Sequence, residues 1–523
     1  MLDDFVEEEE EDPVMDLPKL VPGEDGDRPG DFFFDQYVES LDTLSDRPSY
    51  ARLADQLRDP KTQKEIKYTV SREAPFLGFT DEEFSPENVF VPQLKEISLE
   101  IINHQGGRLV NDAKATLILG SKGSGKSWLA SILVDDNWID RYKQLYNIKV
   151  LCVEYDPNPQ DEWYIHREPI TLTFPAIADK ITAFFRKYST EKFNMDPRGY
   201  SSVVYGSTID QENPNIDKFF TPTFKDMLDI HQYNPALARG LCADLLGLPE
   251  DNTTGRLAIG MIMTKWKDLG IKNFERLEWF LSDKEAVARE MRGIQPKNLY
   301  DYVVSARVEE AVSDSDDSSL PDLIPDLIRY DKVILRTAGS QSTGTNTYEN
   351  RRLIHNMLFT EKWRHEMVLG FSLNPEIRKK SAFNKDKYPA GIVMKADEGE
   401  NMFPANTSSY ISKYTETIFT KDRKSGISPV IITQYPENLN PRVGGASDIK
   451  LVSAVDTQET SDFLANSGVD KLVIKEARRL KHGIKNGAKN ELGMCGAEWM
   501  IFEKRVKRGR FRTIIPRSRC YLA

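Results

Sequence analysis

Gly120-Ser121-Lys122-Gly123-Ser124-Gly125-Lys126-Ser127 decides the fold, read with its flanks as KATLILGSKGSGKSWLASILVDD (Lys114–Asp136). The octet fits GxxxxGK[ST]. KATLILG before it is a compact β-run that stops at glycine. WLASILVDD after it places Leu129, Ile132 and Leu133 at helical spacing. Strand, glycine-rich turn and helix are the context the motif requires. The glycines let backbone N–H groups turn inward around phosphate oxygens, and the helix N-terminus adds its dipole. Lys126 is placed to reach the β- and γ-phosphates of ATP, and Ser127 to hold Mg²⁺. NIKVLCVEYDP (Asn147–Pro157) follows as a second buried strand, stopped at Asp156-Pro157. The order strand, loop, helix, strand opens an α/β unit.

Working outward, the 523 residues predict several units. Residues 1–30 are acidic and rich in Pro and Gly, and EEEEED (Glu7–Asp12) repels itself, so a disordered tail is expected. Residues 31–90 form an appended region of unclear fold. VPQLKEISLEII (Val91–Ile102) suits a helix, and the first part of the core is expected over 91–160. Segments such as NPALARGLCADLLGLP and FERLEWFLSDKEAVAREMRG make 161–330 a mainly helical insertion, closed by the polar linker SDSDDSS (Ser313–Ser319). The core resumes over 331–460 with strands DKVILRT, AGIVMKA, SPVIITQ and SDIKLVSAV. Helices ENRRLIHNMLFTEKWRHE and SYISKYTETIF lie between them. The segment 461–523 is basic, and GAEWMIFEKRVKRGRFRTIIP reads as a β-hairpin.

The second part of the core carries more chemistry. AGIVMKADEGENMF (Ala390–Phe403) is an apolar run ending in Asp397 and Glu398. Asp397 is expected to bind Mg²⁺, directly or indirectly, and Glu398 to orient and deprotonate the attacking water. Lys395 interrupts the apolar run. Gln434 ends SPVIITQ, where an amide can bond both the γ-phosphate and the water. Arg423 lies in TKDRKSG, 25 residues after Glu398. A guanidinium suits charge spread over phosphoryl oxygens.

Charge is unevenly distributed. Net charge is −12, yet residues 470–523 hold 15 Lys/Arg against 5 Asp/Glu, and residues 1–31 hold 13 Asp/Glu against 2 Lys/Arg. The crowd Lys504, Arg505, Lys507, Arg508, Arg510 and Arg512 suits phosphate contact, which is independent of sequence. The same residues could instead serve ATP at a ring interface, or simply face solvent. No apolar stretch approaches the ~18–20 residues of a membrane span. The four cysteines, Cys152, Cys242, Cys495 and Cys520, lie far apart, which suits reduced thiols in a cytoplasmic protein.

Together, GSKGSGKS, DEGENMFP, DRKSG and IITQYPENLNPRV resemble the HerA/FtsK superfamily of DNA-pumping ring ATPases, nearest the HerA branch. That branch tends to show Asp-Glu-Ala-His, then Arg-Lys, then Gln-x-Pro. Here these fall on Asp397–Glu400, on Arg423-Lys424 and on Gln434-Tyr435-Pro436. The resemblance spans about residues 90–520, and a helical insertion explains the 271 positions between Lys126 and Asp397. It implies a RecA-like P-loop core of the additional-strand (ASCE) class, with ATP and Mg²⁺ at the interfaces of a homohexamer around double-stranded DNA. It further implies Glu398 as catalytic base, Arg423 as a finger acting in trans and Gln434 as sensor. Two features depart from the pattern: Gly399-Glu400 replaces Ala-His, and residues 1–90 do not read as the usual small β-barrel. Two other functions remain open. One is an ATP-gated scaffold that recruits a nuclease or other effector. The other is an AAA+-like remodeller of proteins.

Overall fold

The computed structural model describes residues 102–105, 108–111, 113–122, 124–131, 133–134, 138–139, 149–156, 202–207, 216–220, 223–291, 298–308, 320–336, 347–372, 374–383, 391–405, 409–480, 498–503 and 507–512. The acidic stretch 1–30, the appended region 31–90, the linker Ser313–Ser319, Gly123, Lys504, Arg505, Cys495 and Cys520 lie outside these residues. So does the helix expected over Val91–Ile102, except Ile102, which opens a strand.

A small hairpin comes first: β1 (Ile102–Gln105) pairs antiparallel with β2 (Arg108–Asn111). The phosphate-loop strand β3 (Thr116–Leu119) leads to α1 (Lys126–Ser131), and β4 (Val150–Asp156) follows. The insertion then supplies β5 (Ser202–Ser207), β6 (Lys218–Phe220), α2 (Phe224–His231), α3 (Pro235–Leu245), α4 (Thr253–Lys265), α5 (Phe274–Ser282), α6 (Lys284–Glu290), α7 (Leu299–Val308) and α8 (Leu323–Arg329). The core resumes with β7 (Lys332–Arg336), α9 (Thr347–Gly370), α10 (Pro375–Arg378), β8 (Gly391–Ala396), α11 (Ser409–Thr420), β9 (Ile427–Thr433), α12 (Pro441–Ala446) and β10 (Ile449–Val452). After α13 (Gln458–Asn466) and α14 (Lys471–Ala477) come β11 (Glu498–Glu503) and β12 (Lys507–Arg512).

One ten-stranded sheet joins these parts in the order β12-β11-β10-β3-β9-β8-β4-β7-β5-β6. All pairs from β10 to β6 are parallel. The strand carrying Gln434 therefore lies between the phosphate-loop strand and the strand leading to Asp397, which is the additional-strand arrangement. The expected C-terminal hairpin is present as β11-β12. It extends the sheet antiparallel to β10.

Among the described residues of 202–330 helices predominate, but this segment is not separate from the sheet. Its strands β5 and β6 continue the parallel sheet beyond β7, with Ser202 opposite Lys332. Its helix starts are set by short polar side chains that satisfy first-turn N–H groups. Thr223 and Asp226 form a reciprocal capping box on α2, and Asn234, Asn252 and Asn273 cap α3, α4 and α5. Asp283 ends α5 and accepts from the N–H groups of Glu285 and Ala286, so the continuous-looking run FERLEWFLSDKEAVARE folds as two helices.

The sheet has two buried faces. Leu151, Val153 and Tyr155 of β4 and Ile392, Met394 and Ala396 of β8 face one core with α9. Tyr155 is tied to α9 there, its hydroxyl accepting from Trp363 Nε1 at 3.0 Å. By strand alternation Glu154 and Lys395 point to the opposite face. Among the described residues no helix is long and apolar enough to cross a membrane, and Cys152 and Cys242 are buried free thiols.

Candidate nucleotide site

Parallel pairing brings the C-terminal ends of β3, β9, β8 and β4 to one edge of the sheet, the usual place for a ligand crevice in such sheets. Gly120 follows β3 there, and α1 begins at Lys126. Gly125 turns the loop with φ +82°, a left-handed conformation that glycine adopts without penalty. The Lys126 Nζ donates to the Ser121 carbonyl oxygen at 3.0 Å, closing the loop around its own ammonium.

Asp397 leaves β8 at the same edge, its N–H donating to the Tyr155 carbonyl of β4 at 3.0 Å. The Ser127 hydroxyl donates to Asp397 Oδ2 at 2.6 Å, and the Glu398 N–H donates to Asp397 Oδ1 at 3.0 Å. The hydroxyl and carboxylate predicted to share Mg²⁺ thus touch across 270 positions of sequence. A serine hydroxyl and one carboxylate at a helix N-terminus are hard oxygen donors. They fit a cation that keeps several waters and binds through one or two carboxylates plus phosphate.

Glu398 is held in the left-handed region, φ 47° and ψ 57°, unusual for a residue with a Cβ. Asn401 Nδ2 donates to Glu398 Oε2 at 3.1 Å. Strain of this kind persists where surrounding structure enforces it, and it concentrates at working sites. The next residue lies against β9: a Cβ on Gly399 would sit 2.2 Å from Ile431 Cγ2. This explains glycine where the resembled pattern has alanine. Glu400, where that pattern has histidine, reaches the Thr433 hydroxyl of β9. Burial pushes the Glu400 carboxyl up, and the charges of Glu398 and Asp397 push the same way. Thr433 Oγ1 also accepts the Tyr435 N–H at 3.0 Å. Thr433 lies opposite Leu119 across the ladder, so Gln434 stands beside Gly120 at the start of the phosphate loop.

Arg423 is not brought into this cluster. It sits in the short 3-10 turn Asp422–Ser425 ahead of β9, at the other end of the strand from Gln434. Seven residues of strand put it about 20 Å from the phosphate-loop edge. There it pairs with Asp448, whose Oδ2 also accepts the Ala115 N–H at 3.1 Å.

Sequence reasoning missed the partners. Asn401 has an i, i+3 signal in DEGEN; Glu400 and Thr433 have none. The lysine that interrupts the Asp397 strand is explained by packing. Lys395 is fully buried and pairs with Glu154 Oε1 of β4 at 2.9 Å, while Lys332 of β7 pairs with Glu154 Oε2. Among the described residues no group of three or more His, Cys, Asp or Glu is placed to hold a metal.

No protein-family model and no curated protein matches the chain. Its fold is similar to solved structures at low identity. VirB4 of Thermoanaerobacter pseudethanolicus aligns over 79% of this chain and 95% of its own, at 13% identity and TM-score 0.43. The genome packaging NTPase B204 of Sulfolobus turreted icosahedral virus 2, in complex with AMP, aligns over 78% and 100%, at 8% identity and TM-score 0.30. The same NTPase in complex with AMPPCP aligns over 77% and 100%, at 9% identity and TM-score 0.29. The P-loop NTPase fold is established on this chain's own strand order and loop geometry.

Proposed function

We propose that the chain is an ATP-hydrolysing motor that works as a ring and moves double-stranded DNA. The observation that carries the ATPase reading is the meeting of Ser127 and Asp397 at 2.6 Å, with Glu398 fixed beside them by Asn401. Lys126 and the loop N–H groups would bind the phosphates. Ser127 and Asp397 would hold Mg²⁺, which supplies charge neutralisation for the phosphoryl group. Glu398 takes a proton from the attacking water, and Gln434 orients that water. Arg423 lies a strand's length from its own site, so it can serve only a nucleotide on another copy. This supports a ring in which each site is completed by its neighbour.

DNA as the moved partner is supported by two things: the resemblance to HerA-like pumps and the basic hairpin at the sheet edge. A motor indifferent to sequence needs only phosphate contacts. Glu398→Gln tests the enzyme reading. Hydrolysis should fall by about 10²–10⁴-fold, the usual worth of a general base. Nucleotide binding and assembly should persist. Hydrolysis near the wild-type rate would remove Glu398 from the chemistry. Full biological activity without hydrolysis would favour the ATP-gated scaffold.

A further inference from the structure

Helix α9 carries two charged side chains into the interior. Glu361 is fully buried and Arg364 nearly so. Arg364 Nε and Nη2 donate to Glu361 Oε2 and Oε1 at 2.6 and 3.0 Å. Its Nη1 donates to Asp422 Oδ2 at 2.9 Å. Asp422 is the first residue of the 3-10 turn that holds Arg423. The guanidinium also stands over the Tyr414 ring of α11, 5.5 Å from its centroid.

The chain of bonds continues into the insertion. Asn234 Nδ2 donates to Glu361 Oε1 at 3.0 Å, and the same Asn234 caps α3 through the Leu237 N–H at 3.3 Å. Burial holds the Asp422 carboxyl above its ordinary range, with Arg364 opposing the shift. One guanidinium therefore satisfies two buried carboxylates on different elements at once. A planar fork can do this, whereas an ammonium serves one partner well. The span runs from the first turn of α3, through α9, to the residue beside Arg423.

We propose that Arg364 is a positioning residue that fixes the Asp422–Ser425 turn so that Arg423 is presented to the nucleotide of a neighbouring copy. It also ties that presentation to the helical insertion through Glu361 and Asn234. The proposal rests on the reading of Arg423 as acting in trans. Movement of α3 is transmitted to Arg423 through the side chains of Asn234, Glu361, Arg364 and Asp422, which gives the insertion control over hydrolysis next door without contact with ATP.

Mixed assemblies of full-length chains, co-expressed in pairs, test this by ATPase rate. Lys126→Ala chains lack a working site but can lend Arg423. Arg423→Ala chains have a site and lend nothing. Arg364→Lys chains keep the charge and lose the fork. Alone, Arg364→Lys should fall 10-fold or more in kcat with little change in KM for ATP, because its own site is intact. Paired with Lys126→Ala it should recover to about a quarter of the wild-type rate, since one head-to-tail interface in four joins an intact site to an intact lender. Paired with Arg423→Ala it should show no recovery above its rate alone. Asp422→Asn, which keeps the shape, should show the same lender-only defect at smaller size.

Wild-type activity of Arg364→Lys, or equal loss in both pairings, would overturn the role of Arg364. Failure of Lys126→Ala with Arg423→Ala to recover would remove the trans reading itself, and the proposal with it. The two failures are therefore distinguishable.

Discussion

Replacing Gly399 by alanine would press one methyl group into β9, next to the proposed base. The added Cβ would lie 2.2 Å from Ile431 Cγ2 and 3.4 Å from the Ile432 carbonyl oxygen. Favourable carbon–carbon separation begins near ~3.5 Å, so something must give by about 1.3 Å. Ile431 is fully buried in a central strand, so it has little room to retreat. Overpacking of this kind costs about 1–3 kcal/mol. The turn that would move instead carries Glu398, already in the left-handed region. A loss of about 1.4 kcal/mol in transition-state stabilisation is tenfold in rate, so ATPase activity should fall by about 10-fold or more. Ile431→Ala makes room but itself costs about 2–5 kcal/mol in cavity and transfer terms. The double variant should then be more stable than the sum of the singles by about 0.5–3 kcal/mol, the range of coupling between touching residues. Urea denaturation measures the stabilities, and steady-state hydrolysis measures the rates. Gly399→Ala within about 0.5 kcal/mol of wild type, or single effects that add within that margin, would refute close packing of Gly399 on Ile431.

The lysine pair on Glu154 and the carboxyl of Glu400 give further expectations. Lys395→Met keeps the Glu154–Lys332 pair and should change stability by less than about 1.5 kcal/mol, as a near-isosteric swap. Glu154→Gln removes the carboxylate both lysines share and should cost about 3–5 kcal/mol in guanidinium melts; the reverse ranking would contradict the pairing. Glu400 has its carboxyl pushed up in the folded state, so between the ordinary carboxylate pKa and the raised one the folded chain binds more protons than the unfolded. Its contribution is therefore full at low pH and is lost as pH rises through the raised pKa. Glu400→Gln should flatten that decline in stability-versus-pH profiles, and an unchanged slope would remove Glu400 as its source.

Much of the site was legible because its parts are local in sequence. The octet Gly120–Ser127 carries its own turn chemistry, and Asp397-Glu398 ends an apolar run. Asn and Asp side chains mark helix starts wherever they precede an apolar period. Non-local features left no comparable mark. Strand β5 is short and pairs with β7, which lies more than a hundred residues further on, and β6 pairs with β5, so a segment rich in helices hides two strands of the main sheet. Lys395 looked like a fault in its strand because its partner, Glu154, belongs to another. Gly399, in the turn after β8, and Ile431 of β9 exchange volume, which no single stretch records. The same holds for Arg423, whose motif suggests a phosphate. In the folded chain it rests on Asp448, at the far end of the sheet from its own phosphate loop.

The ATPase rate of the purified full-length chain, with and without linear duplex DNA of several sequences at moderate salt, tests the central claim most directly. The rate is expected to rise several-fold with any duplex, to rise less as salt is raised, and to fall by about 10²–10⁴-fold in Glu398→Gln. A basal rate that no duplex changes would contradict DNA as the moved partner.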